Sequence, residues 1–321
     1  MSTNESVSNE ERREAAKRKL AERLDRERAA ARKRKIIIGS ISGVVVLAVV
    51  ATATYFIVDK IQTDRYNAAH LDCDYVTTES LFKDTPTKIP DTITDPAQRA
   101  LFQERLDNLT AGKAKQRTSP KPGTSQLKEG TATLTLATSQ GDIGVTLNRK
   151  GAACNTAAVI SLAEHGYYNN TPCHRMTGGA LKVIQCGDPT GTGAGAPGWT
   201  SPDEPPTTLK PAGEANPMTG EAPVTYPRGT IAIANSGQPQ QGEPNSGGAA
   251  QFFILVQNGT LPANYAVVGT VGAAGMKVVD KVYKGGINPG VSPNQLTGSL
   301  ERSPEDGTPK LPLTIEKATV S

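Results

Sequence analysis

Hydrophobic and polar positions change rhythm several times along this chain. Residues 1–35 are dominated by Glu, Arg, Lys, Ala and Leu, which are strong helix formers. Their apolar positions are too sparse for a coiled-coil seam, so the pattern predicts a charged helical arm with solvated faces. Ile36–Val58 (IIIGSISGVVVLAVVATATYFIV) then runs for 23 residues without a charge or a proline. Roughly 20 apolar residues span a bilayer core. The stretch is too long for an ordinary signal-peptide core, and no small-residue cleavage pattern follows it. It therefore reads as a transmembrane signal anchor. Arg32-Lys33-Arg34-Lys35 stand just before it. Positive charge stays inside, which predicts a single-pass cell-membrane protein with a cytoplasmic N-terminus and residues 59–321 outside.

Residues 59–130 are polar and read as a tether. Within them, Asp95 to Leu109 predicts one short helix, with Asp95 as N-cap and Pro96 at the first helical position. From Thr131 the rhythm becomes period two. Thr131–Ala137 (TATLTLA) and Asp142–Leu147 (DIGVTL) alternate on either side of a turn, as a hairpin would. Residues 155–165 show helical spacing, with Gly166 as a stop. Short strands are predicted near 173–176, 181–186, 230–234, 251–256 and 266–271. A helix follows at 275–283, and a last strand at 313–320. Many short strands and few helices predict a mainly β fold, a closed β-barrel with two flanking helices. The domain plan is thus 1–35 arm, 36–58 membrane segment, 59–130 tether and 131–321 barrel. Residues 187–229 hold 8 Gly and 9 Pro and read as loop.

Composition narrows the function classes. The chain has 321 residues with 32 Gly, 23 Pro and only 4% aromatics, which argues against an all-helical protein. Mean hydropathy is −0.38, which excludes a polytopic membrane protein. The formal net charge of +4 is an effect of the arm: residues 1–35 carry 12 Lys/Arg against 7 Asp/Glu, and the remainder 23 against 24. The body therefore has no basic excess, and nucleic acid is not an expected partner.

All four cysteines, Cys73, Cys154, Cys173 and Cys186, lie after residue 58, as in an oxidising exterior. Three pairings are possible. Cys173 and Cys186 flank a hairpin-like segment and are placed to face each other, which would leave Cys73 for Cys154 and pin the tether to the barrel. Zinc is the competing reading. It lacks support, because there is no C-x-x-C and His70, His165 and His174 show no ligand spacing.

Several familiar signatures fail. Gly191-Thr192-Gly193-Ala194-Gly195 lacks the dinucleotide spacing and meets Pro197 instead of opening a helix. There is no phosphate-loop Lys-Ser/Thr and no nucleophile elbow. Another set is specific. It comprises GYYNNTPCHRM at 166–176, IQCGD at 184–188, GTIAIAN at 229–235, NSGGAAQFF at 245–253 and VGTV at 268–271. In this order and spacing they resemble the cyclophilin family of peptidyl-prolyl isomerases, over about 132–320. The four cysteines, the apolar segment and the CHR…QCGDPTGTG wording are most similar to membrane-anchored actinobacterial members.

The resemblance implies a chemistry that needs no cofactor, metal or nucleophile. An Xaa–Pro amide isomerises over a barrier of about 18–20 kcal/mol, because twisting destroys its resonance. In the twisted state the prolyl nitrogen becomes pyramidal and gains a lone pair. A fixed cationic donor aimed at it favours that state over both ground states. By the resemblance Arg175 is that donor, and Gln185 orients it. Asn235 and Ala234 bind substrate backbone together with Gln251. Phe253 floors the proline pocket, and Leu181, Lys182, Val183, Thr260, Leu261 and Tyr265 line it. The partners implied are proline-containing polypeptides of the secretory route or envelope, handled by a monomer.

Some positions depart from the family pattern. Lys182-Val183 stand where Phe-Met is usual, Thr260 replaces a Trp, Tyr265 a His and Val268 a Phe. Ala250 stands where Ser is common. A pocket wall short of one large apolar side chain forgoes about 1–3 kcal/mol of binding. These departures support the alternative of a non-catalytic peptide-binding or chaperone module on the same fold.

Overall fold

The computed structural model describes residues 4–83, 86–215, 222–236, 246–293 and 298–321. Asn245, which opens the NSGGAAQFF segment, and residues 216–221 of the Gly/Pro-rich stretch lie outside them. Two compact units are present, Met1–Ala68 and Ala69–Ser321.

The first unit's described residues 4–68 belong to one continuous helix, α1 (Asn4–Ala69), that carries the charged arm and the apolar segment without a break. The membrane expectation is corrected here. Among the described residues, no helix is long and apolar enough to cross a membrane. The side chains of residues 41–45 and 48, within the apolar run, lie outside the described residues. Ser40 and Thr54 turn their hydroxyls back onto the carbonyls of Ile36 (2.9 Å) and Val50 (2.8 Å).

The second unit holds, in chain order, β1 (His70–Asp72), β2 (Val76–Thr77), α2 (Pro96–Lys113), β3 (Ser125–Leu127), β4 (Thr131–Thr138), β5 (Ile143–Asn148) and α3 (Ala153–Glu164). Next come β6 (Thr171–Pro172), β7 (Arg175–Thr177), β8 (Val183–Cys186), β9 (Trp199–Thr200), β10 (Lys210–Pro211) and β11 (Val224–Tyr226). It continues with β12 (Thr230–Ile233), β13 (Phe252–Leu255), β14 (Gly259–Leu261), β15 (Val267–Val271) and α4 (Ala273–Lys284). It ends with β16 (Ile287–Pro293), β17 (Leu300–Pro309) and β18 (Thr314–Val320).

Local chemistry accounts for these elements. On β4, Leu134 and Leu136 point inward and are 1% exposed, with Thr135 between them. Gly141, at φ +120°, makes the turn into β5, where only glycine is unstrained. Helix α2 starts at Asp95, whose carboxylate accepts from Gln98 N–H at 2.8 Å, with proline in the first turn. Helix α3 has no side-chain cap of its own. The Glu204 carboxylate supplies one from outside, accepting from the N–H groups of Cys154 (3.0 Å) and Asn155 (2.8 Å). A carboxylate at a helix N-terminus also complements its dipole. Gly166 takes the left-handed conformation just past the helix end, φ +68°.

Eleven strands form one antiparallel sheet in the order β16-β17-β7-β8-β13-β12-β15-β5-β4-β18-β6. The closed barrel is a second correction: among the described residues the end strands do not pair. The reason is visible at β7. Strands β6 and β7 are separated in sequence only by Cys173 and His174, so the chain itself joins the two ends of the core sheet. The outer edge of β7 is already taken by β17, through Asp306 opposite Thr177 and Gly307 opposite Met176. Strand β6 ends on Pro172, which has no N–H to offer a further neighbour. The main core lies between the sheet and helices α3 and α4, around Leu134, Leu147, Leu162, Tyr168, Phe252, Val279 and Ile315.

Residues 187–229 are not wholly loop. Trp199–Thr200 pairs with Val76–Thr77, and Val224–Tyr226 pairs with Gly259–Leu261. Burial of Trp199 and Tyr226 outweighs the surrounding glycines and prolines. Both disulfides join the cysteines as the favoured reading paired them, Cys73 to Cys154 and Cys173 to Cys186. Gly187, just after β8, has φ +93°, and a Cβ there would overlap the carbonyl oxygen of Ala250. Gly187→Ala is expected to lower unfolding free energy by about 2–4 kcal/mol through strain and displaced backbone. Urea unfolding checks this, and a loss below about 1 kcal/mol would contradict the strain argument.

Candidate active site

The site begins with three adjacent strands. Arg175 on β7 lies directly opposite Gln185 on β8, and Gln185 lies opposite Phe253 on β13. With Gln251, the residue just before β13, Arg175 and Gln185 form a row of three polar side chains. Arg175 Nη1 donates to Gln185 Oε1 at 3.4 Å. Gln185 Nε2 donates to Gln251 Oε1 at 2.9 Å. Gln251 Nε2 donates to the carbonyls of Gly193 (2.8 Å) and Gly195 (3.1 Å). Each amide is thereby held in one orientation, with every donor pointing the same way along the row.

The two glycine carbonyls are themselves positioned. The buried carboxylate of Asp188 accepts from the N–H groups of Thr190, Thr192, Gly193 and Gly195, and from the Thr190 hydroxyl. The GTGAG stretch therefore wraps an internal carboxylate. A Cβ at Gly195 would overlap that carboxylate, which accounts for the glycine.

On the other side of the row is an apolar pocket. Neighbouring phenylalanines on β13 divide between two cores: Phe252 joins the main one, and Phe253 a second with Val183, Val224, Tyr226, Ala232 and Leu255. Leu181, Ala234, Leu261 and Tyr265 pack partly buried against this second cluster. Tyr265 meets Phe253 edge-on, with ring centroids 5.4 Å apart. Tyr226 donates to the carbonyl of Pro262 (3.2 Å) and to that of Tyr265 (3.1 Å), which fixes the loop carrying Tyr265. Burial raises the Tyr226 phenol above its ordinary pKa, so it remains a donor.

The residues singled out from sequence thus fall into four sets. Arg175, Gln185 and Gln251 form the polar row. Leu181, Val183, Ala234, Phe253, Leu261 and Tyr265 form the apolar pocket. Asn235 holds the carbonyl of Asn264 at 2.9 Å, and it lines a groove of about 780 Å³ with Gln185, Gln251 and Ala234. Lys182 and Thr260 stand apart from the pocket. The Lys182 carbonyl accepts from Val256 N–H at 2.9 Å, and Thr260 is an exposed residue of β14 opposite Thr225.

Sequence reasoning missed several participants. Val224 and Tyr226 sit in the Gly/Pro-rich stretch, where a three-residue apolar–polar–apolar strand between two prolines was the only signal. Residues 77–81 also line the groove, and Thr78 N–H donates to Gly198 O at 3.0 Å, a few residues after the Cys73–Cys154 bond. Asp306 grips Arg175 from β17, with Nε to Oδ1 at 2.8 Å and Nη2 to Oδ2 at 2.7 Å. The hydrogen bonds to Asp306 hold the guanidinium pKa above its ordinary value, against an opposing effect of burial.

His174 precedes Arg175, and both its ring nitrogens are buried without a hydrogen-bond partner among the described residues. Burial lowers its pKa. Asp188 opposes that shift, and the neighbouring Arg175 charge reinforces it. The folded protein therefore binds fewer protons than the unfolded chain once pH falls below the unfolded imidazole's value of about 6.5. Stability is expected to be full above about pH 7 and to decline below about 6.5, by at most about 1.4 kcal/mol per pH unit. Urea midpoints between pH 7.5 and 5 would show this decline in the parent and its loss in His174→Phe. A parent midpoint constant over that range would refute it.

Residues 133–320 match the family described as Cyclophilin type peptidyl-prolyl cis-trans isomerase/CLD. A relative from Mycobacterium leprae named Probable peptidyl-prolyl cis-trans isomerase B is 39% identical over 198 residues, 61% of this chain and 59% of that protein. Its namesake in Mycobacterium tuberculosis strain H37Rv is 36% identical over 197 residues, 61% of this chain and 56% of that protein. The chain thus spans less than two thirds of these relatives' length. A crystal structure of a Cryptosporidium parvum cyclophilin type isomerase in the presence of the dipeptide Ala-Pro is 19% identical. It covers 59% of this chain and 98% of its own, with a TM-score of 0.37.

Proposed function

This chain belongs to the cyclophilin-type peptidyl-prolyl cis-trans isomerase family, and from that premise we propose that it catalyses cis–trans isomerisation of Xaa–Pro bonds in polypeptide clients. The observation that carries the reading is a fixed guanidinium beside an apolar pocket. The pyrrolidine ring enters among Phe253, Leu261, Val183 and Tyr265. Backbone on either side of the proline is held by the amides of Gln251 and Asn235. The acyl group then turns about the C–N bond, and the prolyl nitrogen loses conjugation and gains a lone pair. Arg175 donates to that lone pair and so favours the twisted state over both planar ones. No bond is made or broken.

The alternative, a binding module without turnover, draws on Lys182, Thr260 and Val268, positions where the sequence lacks the large side chains usual in the family. The two disulfides suit an oxidising compartment, and we place residues 69–321 outside the cytoplasm, acting on secreted or envelope chains. Exchange NMR on the full chain with a proline peptide separates the two functions. An isomerase produces cis–trans cross-peaks at substoichiometric protein. A binding module shifts resonances with exchange left at the uncatalysed rate, and that result would replace the isomerase reading.

A further inference from the structure

Arg175 is held less by Gln185 than by a residue outside every motif that marks the site. Its contact to Gln185 is long, 3.4 Å, and engages one nitrogen. The Asp306 carboxylate engages two, Nε and Nη2, at 2.8 and 2.7 Å. A planar fork matched to a carboxylate by two charge-assisted bonds fixes both position and plane. The arginine side chain is 48% exposed and that of Asp306 28%, so Arg175 has open space on its other side.

Asp306 is itself firmly placed. Strand β17 lies against β7, with Asp306 opposite Thr177. At the next residue, Gly307, a Cβ would overlap the Asn288 carbonyl oxygen of β16, so glycine lets the hairpin close there. Further along β17, Gln98 of α2 forms a two-way amide pair with the backbone of Leu300, 2.8 Å in each direction. Arg302 forms an ion pair with Glu104 of α2. The β16–β17 hairpin is thus bolted at both ends, to α2 and to β7, and it carries one carboxylate onto the reactive arginine.

We propose that Asp306 is a positioning residue for isomerisation. It locks the guanidinium so that Nη1 and the second Nη2 hydrogen face the groove before substrate arrives. This rests on the isomerase reading of Arg175. Without Asp306 a flexible, half-exposed arginine must be ordered in the transition state by one long contact to Gln185. The chemical step slows while peptide affinity, which comes from the pocket and the amides, stays nearly constant.

The test is a double-mutant cycle on the full chain. Asp306→Asn keeps the shape and removes the charge. It is expected to lower kcat about tenfold with KM changed less than about twofold. Asp306→Glu should recover part of the loss. In an Arg175→Ala background, Asp306→Asn should have no further effect, because Asp306 acts only through the guanidinium. An unchanged or raised kcat in Asp306→Asn, or additive losses in the double variant, would overturn the proposal. Solvent exchange of the Arg175 Nε–H, followed by side-chain 15N NMR, reads the clamp without any turnover. It should be slow in the parent and fast in Asp306→Asn, and equal rates would overturn the proposal. If the parent shows no Arg175-dependent turnover, the isomerase reading fails instead, and the Nε–H exchange still decides whether Asp306 orients Arg175.

Discussion

Replacing Arg175 by alanine should lower kcat/KM for a proline peptide by about two to three orders of magnitude, the usual cost of losing one preorganised donor to a charge that develops in the transition state. The loss should fall on kcat. The guanidinium meets a lone pair that exists only in the twisted amide, so it contributes little to ground-state binding. Peptide affinity should stay within about threefold, because Phe253, Leu261 and Tyr265 still enclose the ring and the interactions realised in both states are untouched. Stability should change by no more than about 1 kcal/mol, since the broken ion pair to Asp306 lies at a partly exposed edge. Arg175→Lys should recover little, because an ammonium cannot hold the Asp306 fork and reach the groove together. Exchange rates and titrations on the same samples measure all of these. A variant that loses binding and rate in equal proportion would show that Arg175 serves affinity and not the barrier.

Removing the Cys73–Cys154 bond should produce the largest stability loss of any single change outside the sheet. It links residues 81 apart in sequence, against 13 for Cys173–Cys186. Loop-closure entropy then assigns about 4.5 kcal/mol to the first bond and about 3 kcal/mol to the second. For a unit of this size a loss of about 4.5 kcal/mol corresponds to a thermal midpoint lower by roughly 10 °C. The effect has a functional side. Cys73 anchors the chain just before Tyr75, which donates to the Cys154 carbonyl at 2.9 Å and packs edge-on against Trp199. Residues 77–81 continue from there along the groove beside Gln185 and Gln251. The Cys73→Ala/Cys154→Ala variant should therefore lose affinity for long peptides before it loses turnover of short ones. Thermal unfolding and a peptide-length series check both parts. A midpoint within about 3 °C of the parent would sink the first, and equal effects on short and long peptides the second.

Much of this was readable from residue order. Alternation at 131–137, the Asp95-Pro96 start of α2 and the glycine stop at 166 are local signals, set by backbone sterics and by the period of side chains on a strand or helix. Spaced motifs assigned Arg175, Gln185, Gln251 and Phe253 to one region, because the strand register that brings them together also sets their spacing. The apolar run at 36–58 was equally visible, yet in the structure it is the middle of one long helix in which no described segment meets the apolar demand of a bilayer.

Long-range placement was not readable. Asp306 stands 131 positions from Arg175, and nothing near it marks a site. Val224 and Tyr226 lie among glycines and prolines, which obscured a buried three-residue strand. Residues 69–83 read as part of a polar tether, pinned at most by Cys73, but hold Cys73, Tyr75 and Phe82 in buried positions. Local rhythm specifies an element's type and inner face, because those depend on neighbours a few residues away. Which element occupies the open edge of β7, and so which carboxylate reaches the arginine, depends on packing between distant segments. That packing settled both the unclosed sheet and the clamp on Arg175.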